Sequence, residues 1–240
     1  MKKRSAPIWL FDLDNTLHNA SHAIFPAINR NMNAYIAEVL GDGINPADDA
    51  TVNAVRQEYY QRYGVTMLGM VRHHGVKAED FLKAAHTFDD LATMIRAQRG
   101  LLRMLRQLPG KKILFTNAPR EYSQRVMRHL KLHRHFDAQF SVEEMRVHGQ
   151  LQPKPSRPFL RKLLAMHAWG AGKCILVEDS LDNLRAAKKV GMRTVLLKGY
   201  TPVHLRQRPA ACVDINVQSV FGLVRRSRQF LPSSCKYALS

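Results

Sequence analysis

Short apolar runs punctuate the chain at residues 8–11, 113–115, 175–177 and 194–197, with weaker ones at 213–217 and 137–141. Each is bounded by polar or turn residues, which is the pattern of parallel strands buried on both faces. Helical spacing fills the gaps between them. Leu101, Met104, Leu105 and Leu108 share one face, and Pro109-Gly110 stops that helix. Tyr122, Val126 and Leu130 recur every fourth residue. Phe159, Leu160, Leu163, Leu164 and His167 form another stripe. Leu181, Leu184, Ala187 and Val190 form a fourth, ended by Gly191. Strand and helix in alternation predict a parallel sheet with helices on both faces, an α/β doubly wound, Rossmann-like core.

One segment breaks the alternation. Residues 20–93 hold no convincing strand, and helical patterns dominate at 28–40, 47–63 and 79–86. An all-helical insert directly after the first strand predicts a cap over the sheet's C-terminal edge. The expected organisation is therefore a core of residues 1–19 and 94–224, a helical cap of 20–93, and a basic tail of 225–240.

Composition narrows the class. With 240 residues, 45% hydrophobic and 23% charged, the chain has the make-up of a soluble globular protein. No apolar run approaches the roughly 20 residues that cross a bilayer. The basic start, Met1-Lys2-Lys3-Arg4, is followed by an apolar stretch too short for a signal peptide, which points to a cytoplasmic protein. Cys174, Cys212 and Cys235 are too few and too far apart for a disulfide framework or a metal knuckle. The net charge of +18 suits anionic partners. The cations are spread along the chain, mildly concentrated between Arg96 and Arg134, without an aromatic-interleaved repeat. That favours a solvated basic surface that attracts a small anionic substrate over a nucleic-acid-binding one.

Four features carry chemistry. The first strand ends in Asp12-Leu13-Asp14, and C-terminal strand ends are where open α/β sheets bind ligands. In an extended segment, carboxylates at i and i+2 point the same way, so one can be nucleophile and metal ligand while the other is a general acid. The second strand ends in Thr116-Asn117-Ala118-Pro119. The following helix start, with the Thr116 hydroxyl, suits a phosphate. Lys154 lies between Pro153 and Pro155, which fix the backbone around one cation. Glu178-Asp179-Ser180 ends the third strong run, and hard oxygens from two strand ends suit magnesium.

Together, in this order, the four features resemble the haloacid dehalogenase superfamily over nearly the whole chain. The resemblance implies that Asp12 attacks phosphorus to form an aspartyl-phosphate. It implies that Asp14 first protonates the leaving oxygen, then deprotonates the attacking water. Thr116 and Asn117 would hold the phosphoryl group and Lys154 would clamp it. Asp12, the main-chain carbonyl of Asp14, and Asp179 would bind Mg2+, with Glu178 acting through the metal's water shell. Phosphatases of the superfamily have the second acid, Asp14, and the dehalogenases lack it. Phosphonate-cleaving members need a Schiff-base lysine, for which the insert offers Lys77 and Lys83. A sugar phosphatase or phosphomutase shares the same core residues.

A closer resemblance, to the pyrimidine 5′-nucleotidase branch, rests on Tyr59-Tyr60-Gln61-Arg62-Tyr63-Gly64-Val65-Thr66, on Phe81-Leu82 with His86, on Phe115-Thr116-Asn117-Ala118-Pro119-Arg120, and on Val177-Glu178-Asp179-Ser180. It implies a small-molecule phosphate monoester as partner, chiefly a nucleotide such as UMP or CMP. Tyr59, Tyr60 and Tyr63 can equally be packing residues of the insert, and Arg72-His73-His74 a solvated helix end. The reading from another class is a non-catalytic nucleic-acid-binding or regulatory protein, motivated by the charge alone.

Overall fold

The computed structural model describes residues 6–205, 210–227 and 229–230. The chain divides into two compact units, Met1–Ser21 with Ile95–Ser240, and His22–Met94. Strand β1 (Ile8–Phe11) opens the first unit. The second unit holds α1 (Ile24–Leu40), α2 (Asp49–Tyr63), α3 (Thr66–His74), α4 (Ala78–Ala85) and the short α5 (Leu91–Met94). The first unit then continues through α6 (Leu101–Gln107), β2 (Lys111–Phe115), α7 (Arg120–His129) and β3 (Ala138–Phe140). A hairpin of β4 (Arg146–Val147) and β5 (Gln150–Leu151) follows. The rest is α8 (Arg157–Met166), β6 (Cys174–Glu178), α9 (Leu181–Lys189), β7 (Arg193–Leu197), β8 (Ile215–Val217) and α10 (Val220–Ser227).

The six expected apolar runs all become strands of one parallel sheet, in the order β3-β2-β1-β6-β7-β8. Strand β1 is buried along its whole length because it lies at the centre, between β2 and β6. Leu10, Ile113, Leu176 and Leu196 pack on one face against Phe159, Leu160 and Leu163 of α8 and Leu184 and Ala187 of α9. Trp9 and Phe11 alternate to the other face. There the indole of Trp9 donates to the Pro109 carbonyl at 2.8 Å, just beyond α6, and α10 packs on α6.

Strand order reverses beside β1. The chain steps outward through β2 and β3, then returns to β6 and steps the opposite way through β7 and β8. The C-terminal ends of β1 and β6 therefore flank a topological switch point, the place where doubly wound sheets open a crevice.

In the helical unit, α1 packs on α4 through Tyr35 and Phe81, whose rings meet edge-on at 5.6 Å. Helix α1 starts at Ile24, a turn earlier than its apolar spacing indicates, because Pro26 is tolerated in a first turn. Asp48 caps α2 by accepting from the Thr51 N–H at 2.8 Å, and Gly64 closes it in a left-handed conformation. Helices α2 and α3 approach closely at Gly69, which faces the Tyr59 ring. Tyr59 is buried while Tyr60 is 62% exposed.

No helix among the described residues is long and apolar enough to cross a membrane. Residues 225–227, expected to begin a tail, form the last turn of α10. Most of the remaining tail, Cys235 included, lies outside the described residues.

Candidate active site

The site begins where β1 stops. The Asp12 N–H donates to the Val177 carbonyl at 3.0 Å, so the sheet ladder continues one residue beyond the strand and fixes Asp12 at its end. The register pairs Phe11 with Val177, so the next residues, Asp12 and Glu178, leave neighbouring strands side by side. On the other flank the Thr116 N–H donates to the Phe140 carbonyl at 3.0 Å, placing Thr116 at the end of β2. Oxygens of Asp12, Glu178 and Asp179 all lie within 4.8 Å of one another. Their spacing suits hard, divalent cations.

Lys154 reaches this cluster from the loop between β5 and α8. The hairpin turn is His148-Gly149, both with positive φ (49° and 77°), a conformation that suits glycine at the second position. The Gln152 N–H donates to the Met145 carbonyl at 2.6 Å, extending the hairpin into the loop. Asn117 then grips the Lys154 backbone from both sides. Its amide donates to the Lys154 carbonyl at 3.0 Å and its oxygen accepts from the Lys154 N–H at 2.8 Å. The ammonium, 5% exposed, donates to Asp12 Oδ1 at 2.6 Å and to Glu178 Oε2 at 2.8 Å.

Two contacts here add to the expected roles. The Asn117 side chain is engaged by the Lys154 backbone and so positions the lysine. Glu178 is the lysine's direct partner, a contact made across the cluster that no local spacing reveals. Pro119 is the N-cap of α7.

Burial dominates the electrostatics. It pushes Asp12 to about 7, with the Glu178 charge adding to it and Lys154 opposing. Glu178 is likewise raised to about 7 by burial, against the pull of Lys154. Asp179 rises to about 6 through burial and the nearby Asp12 charge. Burial opposes the charge of Lys154, yet Asp12 and Glu178 hold its ammonium above the usual lysine range. Fully ionised, three carboxylates around this lysine leave two negative charges uncompensated. A bound divalent cation would cancel them; Lys154 is shared by Asp12 and Glu178, and Asp179 stands beside that pair.

Asp14 has a different neighbourhood. A tight turn places it: the N–H groups of Thr16 and Leu17 donate to the Leu13 carbonyl at 3.2 and 2.8 Å. Asn15 takes a left-handed conformation (φ 58°) and exchanges two hydrogen bonds with Ser21. Asp14 Oδ1 accepts from the Tyr122 hydroxyl at 2.6 Å and lies 2.9 Å from His18 Nε2. Burial and the Asp14 charge raise the Tyr122 phenol well above its ordinary value, so it remains a donor.

Sequence reading missed both partners. Tyr122 was absorbed into the apolar stripe of α7, and nothing in a single sequence separates a buried tyrosine that packs from one that also donates. His18 did leave a signal: a histidine four residues after Asp14, behind the buried Leu17. The Thr116 hydroxyl is buried and accepts from the Ala118 N–H at 3.0 Å, which leaves its own proton to donate. Lys77 and Lys83 are exposed on α4 and the residue before it, an environment that does nothing to activate a Schiff-base amine. In the same unit, Tyr59 and Tyr63 bond His74 and His73 at 2.7 and 2.6 Å, so the Arg72-His73-His74 helix end is tied to α2.

Comparison with known proteins bears on this arrangement. A predicted phosphatase from Clostridium acetobutylicum superposes with a TM-score of 0.63 at 18% identity, covering 94% of this chain and 100% of that one. CbbY from Rhodobacter sphaeroides, solved in complex with phosphate, gives 0.61 at 19% identity, covering 91% and 96%. At these identities the likeness is one of fold. Phosphate metabolism protein 8 of Saccharomyces cerevisiae is 22% identical over 201 residues, 79% of this chain. The match spans only 60% of that yeast protein's length. The family model for haloacid dehalogenase-like hydrolases matches residues 9–197, from within β1 to the end of β7, and takes in every site residue described above. The chain therefore belongs to the haloacid dehalogenase-like hydrolase family.

Proposed function

We propose that this hydrolase is a magnesium-dependent phosphatase acting on a phosphate monoester through a covalent Asp12 intermediate. One observation carries the reading: a buried lysine binds the carboxylate at the end of β1, while a second carboxylate two residues later is separately held by two hydrogen-bonding side chains. A halide leaves without a proton, so a dehalogenase has no use for a second acid beside the nucleophile. An alkoxide leaving from phosphorus needs one.

Asp12 Oδ attacks phosphorus, and the bond from phosphorus to the ester oxygen breaks. Asp14 gives its proton to that oxygen, and the alcohol departs. Asp14 then takes a proton from water as the water oxygen attacks the aspartyl-phosphate. The bond from phosphorus to Asp12 breaks, and inorganic phosphate leaves with Asp12 restored. Lys154 stays beside Asp12 throughout and offsets negative charge on the transferring group. The Thr116 hydroxyl offers a donor to a phosphoryl oxygen. A magnesium ion held by Asp12, Asp179 and the Asp14 carbonyl would supply Lewis-acid polarisation of the phosphoryl group.

The substrate we favour is a nucleoside 5′-monophosphate, with pyrimidines preferred, on the motif resemblances of the 59–66 and 115–120 segments. A panel of nucleotides and sugar phosphates with magnesium tests this, and sugar phosphates turned over ahead of UMP and CMP would refute it. The chemistry is tested separately. Asp12→Asn should fall below about a thousandth of wild-type activity while remaining folded. An Asp12→Asn enzyme of full activity, or a wild type carrying no phosphate on Asp12 after rapid quenching and mass spectrometry, would refute the covalent mechanism.

A further inference from the structure

We propose that His18 and Tyr122 are positioning residues that fix the Asp14 carboxylate for proton transfer to and from the ester oxygen and water. The inference deepens the phosphatase reading and rests on it.

Three polar atoms form a closed triangle at Asp14. Tyr122 Oη lies 2.6 Å and His18 Nε2 2.9 Å from Asp14 Oδ1, and the two partners are 3.4 Å apart. Both partners are buried, His18 completely and Tyr122 to within 2%. They come from separate elements. His18 closes the turn that follows β1, four residues after Asp14, and Tyr122 projects from α7, 108 residues away. Burying a phenol and an imidazole without partners costs free energy, and here both find the same carboxylate oxygen.

Among the described residues His18 Nδ1 has no hydrogen-bond partner, although the ring is fully buried. The ring therefore engages through Nε2 alone. The tautomer with hydrogen on Nε2 donates to Asp14 and leaves only an acceptor unmatched at Nδ1, which costs less than a buried orphaned donor. Two donors converging on one carboxylate oxygen fix the plane of the group about its Cβ–Cγ bond. A free carboxylate at a loop position would sample rotamers. A held one presents a constant geometry to two successive proton transfers, and small displacements from that geometry are expensive in rate. Asp12, two residues away, has no share in this triangle and is instead bound by Lys154. The two acids are thus separated by their partners: one held beside a lysine for nucleophilic attack, the other beside a phenol and an imidazole for proton exchange.

A purely structural role for the triangle predicts a uniform loss when it is broken. Positioning of the acid predicts a loss that depends on the leaving group. An alkyl phosphate needs a proton on its departing oxygen, and p-nitrophenyl phosphate does not. Tyr122→Phe keeps the ring and removes only the hydroxyl. It should lower kcat for an alkyl monoester such as glycerol phosphate or a nucleoside monophosphate by roughly 30–100-fold, a large part of what general acid catalysis contributes, with KM little changed. Its pre-steady-state burst of p-nitrophenolate should stay within about threefold of wild type, with a slowed second phase because Asp14 must still activate water. His18→Leu should behave like Tyr122→Phe. His18→Gln, which restores an amide donor near the Nε2 position, should recover most of the alkyl monoester activity.

Equal slowing of the p-nitrophenolate burst and of alkyl monoester turnover, or no slowing of either, would overturn the proposal. So would a His18→Gln enzyme as impaired as His18→Leu. Asp14→Asn run in parallel keeps the two levels apart. If it shows the leaving-group signature and the partner variants do not, the phosphatase reading stands and the positioning role fails. A wild type that hydrolyses neither ester with magnesium sinks both.

Discussion

Three raised carboxylates in one buried cluster make the metal-free protein sensitive to pH in an unusual direction. Asp12 stands at about 7 and Glu178 at about 7, both above the unfolded values near 4. The folded state therefore binds extra protons between roughly pH 4 and pH 7, and its stability falls as pH rises through that window. Ordinary carboxylates are already ionised at pH 5, so among the acids a comparison of pH 5 with pH 8 reads the cluster. One group losing its proton over two pH units costs about 3 kcal/mol, and two groups no more than about twice that. For a chain of 240 residues, a loss of about 3 kcal/mol corresponds to a Tm lower by roughly 6–12 °C. Both tryptophans, Trp9 and Trp169, lie in the sheet-bearing unit, so intrinsic fluorescence follows the unfolding of that unit alone. With EDTA, the fluorescence Tm should drop by this amount from pH 5 to pH 8. Magnesium should restore it at pH 8 and have little effect at pH 5, where protons occupy the same oxygens. A Tm that is flat or rises from pH 5 to pH 8 in EDTA would refute the charge argument. Equal stabilisation by magnesium at both pH values would refute the assignment of its ligands.

Lys154→Met removes the cation and leaves Asp12 and Glu178 facing each other; in EDTA at pH 8 it should cost about 3–5 kcal/mol in chemical denaturation and noticeably less at pH 5. A larger deficit at pH 5 would contradict the ion-pair assignment. In the helical unit, a Cβ at Gly69 would stand 2.1 Å from Tyr59 Cγ, so Gly69→Ala should destabilise that unit by about 1–3 kcal/mol. Circular dichroism should detect an early helical transition while the tryptophan transition stays in place. Burial pushes the Cys174 thiol up to about 12, so iodoacetamide at pH 8 should leave it unmodified in the native protein and alkylate it in denaturant. Peptide mapping that finds native Cys174 alkylated would show β6 to be more open than its packing indicates.

The four inner strands were legible because their runs are apolar on both faces, a pattern that central parallel strands require and loops do not produce. Positions were legible for the same reason: once 8–11, 113–115 and 175–177 are strands, Asp12, Thr116 and Asp179 must stand at or just beyond their ends. Lys154 was legible only as a cation in a stiff loop. Its reach to Asp12 depends on the β4–β5 hairpin and on Asn117, and the cue for the hairpin was no more than His148-Gly149 between short polar segments. The Asp14 partners were hidden for a deeper reason. A side chain's hydrogen-bonding role is set by what another element brings to it. Tyr122 and Asp14 are 108 residues apart, so helical periodicity reports that Tyr122 is buried and nothing about its hydroxyl. The helical unit shows the converse. Tyr59, Tyr60 and Tyr63 are adjacent in sequence, yet one is core, one is largely exposed and one is paired with a histidine.

A fold that aligns the ends of its central strands necessarily brings their first loop residues together. Here those residues are acids, and the local conflict is compensated in two separable ways. Lys154 answers one buried charge permanently, through bonds of 2.6 and 2.8 Å that need no ligand. The remaining charge is left for whatever enters the site, a proton at low pH or a divalent cation at neutral pH. The same uncompensated charge that lowers the stability of the empty site would give the proposed metal site its affinity, and a more stable version with Asp179 neutralised should surrender it. The Asp14 carboxylate is held separately, its Oδ1 bound by Tyr122 and His18. In the mechanism proposed above, the proton-transfer group would then be in place before metal and substrate arrive.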